Sequence, residues 1–465
     1  MDEKCMNTSC KAPQKYLWIV FAVLFVFVFS SSCYNLDTVS IVRYELTFAD
    51  SLIHGQIGNF YQKTYDVMQI YQPSHSPTYD LPMNLVLGIW GIPLYFITKL
   101  KGTIDIAESF TCLLYGKSIL LISLFASIYL VYMVCCALKL SKERSKWGAF
   151  IFLTSLLTLS CTGIVGQSDI IGIVPTLAGI YAYIRGKNKQ FLFWFVIAFP
   201  FKLYSFFVFL PLLLLKQKNI LKIVSQVAMI FGFTFIADLP IRNCVAAYEF
   251  KHIFSQMMFE ALIENRLPFV NGVSSTVFLW GMVCLYCFLH KNSDDEEMSN
   301  STTVFVMLAA MLSIFVGFGA NCYWYVNMAP YMAIAIVYNK KNTKQMLLFE
   351  TVGVLSLTVV NVIKNHWCFD VQNCENMLLD RIFRNHEFQG SWTLQKMVTE
   401  TNLPLYQSAL GAIYVICMIA LLWLIWPPNM DNQTEESMEQ SAILRAGINC
   451  CVALIPALLY IIGVL

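Results

Sequence analysis

The chain alternates between long apolar runs and short basic or polar stretches, a pattern of membrane spans. Tyr16 to Leu36 is the first run. Later runs lie at about 116–138, 147–165, 170–184, 190–201, 203–215, 219–239, 272–290, 302–319, 326–338, 345–363, 405–426 and 446–465. Several are shorter than the roughly 17–25 residues that a crossing helix needs. Segments 190–201 and 203–215 flank Pro200-Phe201-Lys202, so they read as short or broken helices meeting at a polar point, as in membrane proteins whose broken helices line a cavity. Met83 to Thr98 is apolar enough to cross, but Gly88, Gly91 and Pro93 interrupt it, and it reads as re-entrant or partly inserted. The fold class expected is all-α: a polytopic membrane protein with about 12–13 membrane helices.

Charge places the sides. Lys4, Lys11 and Lys15 precede the first run, which puts the N-terminus in the cytoplasm. A signal peptide ending near Ser30-Ser31-Ser32-Cys33 is the rival reading, and the many later spans do not require one. Basic clusters at Lys139–Lys146, Arg185–Lys189, Lys216–Lys222 and Lys340–Lys344 then alternate consistently on the cytoplasmic side. Residues 37–82, 240–271 and 364–404 become long outer segments. The first outer loop is expected to carry interfacial helices, with Ile41, Tyr44, Leu46, Phe48 and Leu52 forming the apolar face of a surface helix within 40–60.

Composition agrees. Hydrophobic residues make up 57% of the 465 positions, charged residues only 13%, and the mean hydropathy is +0.60. These values exclude a soluble domain, and a net charge of +2 gives no reason to expect nucleic acid as a partner. The 16 cysteines lie mostly in apolar runs and read as small buried hydrophobes, Cys284 and Cys287 included. Cys368 and Cys374, six positions apart in an outer segment, are a candidate disulfide.

Polar residues that look out of place collect on the outer side. Asp37 follows the first span, and Asp50, His54 and Tyr61 share its loop. Gly166-Gln167-Ser168-Asp169 ends a span, Lys202 sits between apolar segments, and Asn321-Cys322-Tyr323-Trp324-Tyr325 tops a helix hairpin. Each has an ordinary structural reading: Gln167 and Asp169 as helix caps, Lys202 as a snorkelling side chain, the aromatics as an interfacial belt. Their gathering on one side, which charge counting alone assigned, argues for a site.

The order of these pieces resembles the GT-C superfamily of integral-membrane glycosyltransferases. The resemblance rests on Asp37, Leu52-Ile53-His54-Gly55-Gln56-Ile57 to Phe60-Tyr61, and Tyr79-Asp80-Leu81-Pro82. It continues through Gly166-Gln167-Ser168-Asp169, Phe201-Lys202 and the Trp324–Pro330 hairpin. It implies a GT-C-like catalytic module over 16–340, within a single transmembrane domain, with further helices of unassigned role at 341–465. It also implies a polyprenyl-phosphate sugar as donor, a glycan or lipid-linked acceptor, and an acid of the first outer loop as catalyst. The Asp37-to-Gly55 spacing is longer than is usual in that family, so Asp37 and Asp50 compete for the acid's role.

The residues suit that chemistry in their own right. A carboxylate can take the acceptor hydroxyl's proton, and Asp37, anchored directly to a span, is preferred over Asp50. A cation such as Lys202, with Arg242 as a second candidate, can hold the departing phosphate. Gln167 and Asp169 suit sugar hydroxyls, while Tyr323 and Trp324 suit a sugar face or an isoprene unit. No cofactor is expected. A divalent metal held by Asp37 and Asp169 is the less favoured option. The competing reading is a flippase or transporter of lipid-linked saccharides, for which midplane charge and symmetric halves would be expected; Glu350 is the exception among helix centres.

Overall fold

Every element among the described residues is helical, as lipid demands of a chain that must satisfy its backbone internally. The structure, a computed structural model, describes residues 11–32, 35–71, 79–101, 109–264, 272–291, 295–317, 320–365, 369, 378–383, 398–427 and 437–461. Cys368 and Cys374 lie outside the described residues. Seven described helices are long and apolar enough to cross a membrane, or up to nine if each of two bent pairs is one span. This is below the 12–13 expected because Asp169–Ile184, Tyr204–Lys216 and Ser275–Leu289 are apolar helices of only 10–17 residues.

The first helix, α1 (Lys15–Ser31), ends at an elbow, and α2 (Leu36–Ile53) leaves at 80° to it. α3 (Phe60–Tyr71) and α4 (Leu81–Lys101) follow. The segment after α1 therefore does form helices, but α2 is not the half-exposed surface helix expected over 40–60. Residues Thr38 through Glu45, Phe48, Ala49 and Ser51 are all buried, so nearly every face is covered.

The reading of 83–99 as an interrupted segment also changes. α4 is one continuous helix that meets the length and hydropathy of a span. Its glycines are contact points with α2, not breaks. A Cβ at Gly88 would lie 2.1 Å from the Phe48 ring, and one at Gly91 would lie 2.7 Å from the Glu45 carbonyl oxygen. Gly116 in the long α5 (Phe110–Ala137) receives Val42 in the same way, with a Cβ there 2.4 Å from its side chain. Three glycines on two helices thus let α2 press into α4 and α5.

Next come α6 (Lys142–Leu153) and the short α7 (Leu156–Thr158), which continues as a π-helix, Leu159–Val165. The expected span 147–165 is therefore bent, by 45° at Thr154-Ser155. α8 (Asp169–Ile184), α9 (Asn188–Ala198), α10 (Tyr204–Lys216), α11 (Ile220–Ala237) and α12 (Val245–Glu264) follow. α13 (Ser275–Leu289), α14 (Glu296–Gly317) and α15 (Ala329–Tyr338) complete this part, with a 3-10 helix, Cys322–Met328, leading into α15.

The later helices are α16 (Thr343–Lys364), α17 (Leu378–Phe383), α18 (Gln407–Leu424) and α19 (Glu439–Ile461). α16, α18 and α19 pack on the same apolar core, which runs from Leu17 in α1 to Ala453 in α19, while Leu379 of α17 joins a smaller cluster with Ala457 and Tyr460. A buried fork joins the later helices to the earlier ones. Arg445 donates to both Glu350 oxygens, at 2.5 and 2.6 Å, and also to Thr154 Oγ1 and the Ile151 carbonyl at the α6–α7 bend. The Glu350 charge noted in the sequence is thereby matched.

Candidate functional site

The site begins at the α1–α2 elbow. Asn35 caps α2 by accepting from the Asp37 amide at 3.0 Å, which places Asp37 in the first turn of α2, beyond the end of α1. The neighbouring Thr38 hydroxyl donates to the Val165 carbonyl at 3.0 Å. Lys117, buried in α5, donates to the Phe29 and Ser32 carbonyls at the end of α1 and to the Gly163 carbonyl of the π-helix, at 3.0, 2.8 and 2.6 Å. One ammonium thus satisfies carbonyl groups that two helix ends would otherwise leave unpaired.

Gly166 ends the π-helix with φ +71°. A Cβ there would lie 2.3 Å from Thr38 Oγ1 and 2.8 Å from Lys117 Cε, so glycine answers both a conformational and a steric need. This turn aims Gln167 at Asp37, and the two side chains hydrogen-bond. Gln167 Oε1 also accepts from the Tyr79 hydroxyl at 2.9 Å and from the Ser168 amide at 2.8 Å. The Ser168 hydroxyl donates to the Tyr79 oxygen at 2.8 Å.

Asp169, fully buried, opens α8. One of its oxygens pairs with Lys202 Nζ at 3.1 Å, and the other accepts from Asn327 at 3.3 Å. Lys202 sits in the turn between α9 and α10, with its ammonium 4.7 Å from the centre of the Tyr79 ring. Asp37, Gln167, Asp169 and Lys202, read from three separate stretches of sequence, therefore form one polar cluster. Tyr79 lies at its centre.

Burial pushes the Asp37 carboxyl up to about 6, although the Gln167 hydrogen bond and the Lys202 charge oppose the shift. Burial alone would lower the Lys202 pKa. The adjacent Asp169 carboxylate and Tyr79 outweigh it and raise the value above the ordinary lysine range. The cluster thus holds a carboxyl poised to titrate near neutrality beside a firmly charged ammonium.

A cavity of about 340 Å³ opens beside the cluster. Its polar lining includes Tyr79, Asp80, Lys202 and Lys251, and Phe199, Phe201, Phe259 and Trp324 supply much of the rest. Tyr323 is buried next to Trp324, with ring centroids 6.0 Å apart, and accepts from Asn321 at 3.0 Å.

The other candidates stand elsewhere. Asp50 lies at the opposite end of α2, about 20 Å along the axis from Asp37. It accepts from Tyr95 at 2.7 Å and pairs with Lys63 at 3.3 Å. His54 is exposed and turns back onto Asp50 at 3.3 Å. Tyr61 is buried behind the site. Its hydroxyl donates to the Tyr79 carbonyl and accepts from Asn84 at 3.1 Å, so it supports Tyr79. Arg242 does not join Lys202; it follows the short 3-10 helix Leu239–Ile241 and lines a second cavity.

Tyr79, Ser168, Asn327 and Lys117 belong to the site but were not chosen from the sequence as functional residues. Lys117 and Asn327 did carry a signal, since each is a polar residue within an apolar stretch. Among the described residues no three His, Cys, Asp or Glu side chains gather as metal ligands. Comparison of the chain with protein-family models, with curated proteins and with solved structures returned no match.

Proposed function

We propose that this chain is an integral-membrane glycosyltransferase that moves a sugar from a polyprenyl-phosphate donor to an acceptor at the outer face of the membrane. The observation that carries the reading is the meeting of Asp37 and Lys202 around Tyr79 and Gln167, beside an aromatic-walled cavity. In this reading Asp37 removes the acceptor hydroxyl's proton as that oxygen bonds to the sugar's anomeric carbon. The bond from that carbon to the phosphate oxygen breaks, and its electron pair leaves on the phosphate. Lys202 faces that charge and stabilises it. Direct inversion at the anomeric carbon needs one base and no enzyme nucleophile.

The cavity's composition suits such a donor. Its lining joins the Lys202 ammonium, suited to a phosphate, to phenylalanines that offer an apolar wall for an isoprenoid chain. Asp169 and Asn327 hold Lys202 in place until the phosphate arrives. The deciding experiment follows sugar transfer from a synthetic polyprenyl-phosphate hexose by purified protein. Asp37→Asn is expected to abolish transfer while retaining donor binding. Normal transfer by both Asp37→Asn and Asp50→Asn would overturn the reading and favour a transporter of lipid-linked saccharides.

A further inference from the structure

A second cavity, of about 310 Å³, adjoins the first and shares Lys251 and Ser255 with it. Arg242 lines it and forms no ion pair with any described residue. Lys251 stands beside it, held between Asp238 and Asp80, with Asp80 at 2.7 Å. Asp238 also lines the cavity, but its charge is met by Lys251 and by the Leu81 amide at 3.0 Å. His252 adds a ring nitrogen and lies parallel to Tyr248, at 2° between planes and 5.8 Å between centroids. The unmatched group is therefore a guanidinium, whose fork fits phosphate oxygens.

The cavity's remaining wall is apolar and faces outward. Phe235 is 64% exposed and Leu239 45% exposed. Both lie where α11 ends, and α11 is the candidate span with the least of its surface buried in the protein, 11%. An apolar and largely exposed helix thus runs up to an exposed arginine that has no ion-pair partner among the described residues. A soluble anion would have no use for that apolar approach, whereas a phospholipid would lay its acyl chains along it.

The geometry points to a binding site for a phospholipid of the surrounding bilayer, with its phosphate on Arg242 and its chains along the exposed face of α11. The inference stands apart from the transferase reading, because it rests on different residues and on lipid binding alone. Purified full-length protein is titrated with phosphatidic acid, or with diacylglycerol of the same acyl chains, and occupancy is read by native mass spectrometry. Phosphatidic acid is expected to bind and diacylglycerol to bind far less. Arg242→Gln should weaken phosphatidic acid binding about tenfold or more, with Arg242→Lys in between. Lys202→Met should leave this lipid binding unchanged, which separates the site from the transfer centre. Glycerol 3-phosphate should compete only weakly, since it lacks the chains. Equal binding of the two lipids would overturn the assignment. So would full occupancy in folded Arg242→Gln, or glycerol 3-phosphate binding as tightly as phosphatidic acid.

Discussion

Asp37 is a carboxyl whose surroundings raise its pKa to about 6, as the base proposed for the transfer would need. It is protonated in acid and becomes a base as pH rises through that value. Transfer measured as kcat/KM should therefore rise with pH through about 6 and then level off, well above the ordinary range of an aspartate. Gln167→Leu removes a hydrogen bond that favours the charged form, so its acidic limb should move to higher pH. The stability consequence has a definite sign. The folded state holds the proton more tightly than the unfolded chain, so the group's contribution is lost as pH rises from the ordinary aspartate range through about 6. Asp37→Asn should accordingly raise the melting temperature at neutral pH while removing activity. A fall in both would make Asp37 a structural residue. Lys202→Met keeps the stem volume and removes the charge, and turnover should fall by roughly 10²-fold or more. Unchanged turnover would leave Lys202 as a snorkelling side chain.

At the scale of elements, the site depends on three segment ends brought to one place: the α1–α2 elbow, the end of the π-helix, and the turn between α9 and α10. Lys117 and Thr38 join the first two, and the Lys202–Asp169 pair joins the third. π-helical turns are uncommon and frequently occur at functional sites. Here the π-helix is what delivers Gly166 and Gln167 beside Asp37. Gly166→Ala would force a side chain into a left-handed turn occupied by Thr38 and Lys117. The cost is roughly 1–2 kcal/mol for the backbone alone. The expected signature is a drop in turnover larger than the loss of melting temperature would produce. Wild-type kcat with an unchanged pH profile in Gly166→Ala would show that the turn is not critical.

At the scale of the whole molecule, the C-terminal helices are bound to the rest by the Arg445–Glu350 fork and its contacts with Thr154 and Ile151. Removing one partner strands the other charge in the core, and Glu350→Gln should destabilise by roughly 3–5 kcal/mol. Thermal unfolding in detergent measures this. Equal melting temperatures would mean that water or another residue takes over the lost charge. The orientation of the molecule is testable separately. Asn59 is exposed between α2 and α3. An Asn59→Cys variant, made in a background without Cys451, the exposed cysteine among the described residues, should react with a membrane-impermeant maleimide from the outer side. Labelling only after permeabilisation would place the site in the cytoplasm and invert the topology.

The amino-acid sequence by itself determined that this is a helical protein of the membrane, because runs of apolar residues with few charges leave no other solvent and no other element. Most helices from α5 onward fall close to where those runs place them. Asp37, Gln167, Asp169 and Lys202 were also legible, since polar residues at the ends of apolar runs are costly and stand out. Only the tertiary structure decided what those residues do to one another. Gly88 and Gly91 read as breaks in a span because a glycine used for close packing and one used for bending look alike in a linear chain. Asp50 and Asp37 read as rivals because sequence spacing does not show that α2 carries them to opposite ends. Arg242 read as a second candidate for the role of Lys202 because charge alone does not say which cavity a side chain will line. Tyr79 entered only within the Tyr79-Asp80-Leu81-Pro82 stretch, with no role assigned to it. It is central because α2, the turn after the π-helix and the α9–α10 turn converge on it, and no local pattern encodes such a convergence.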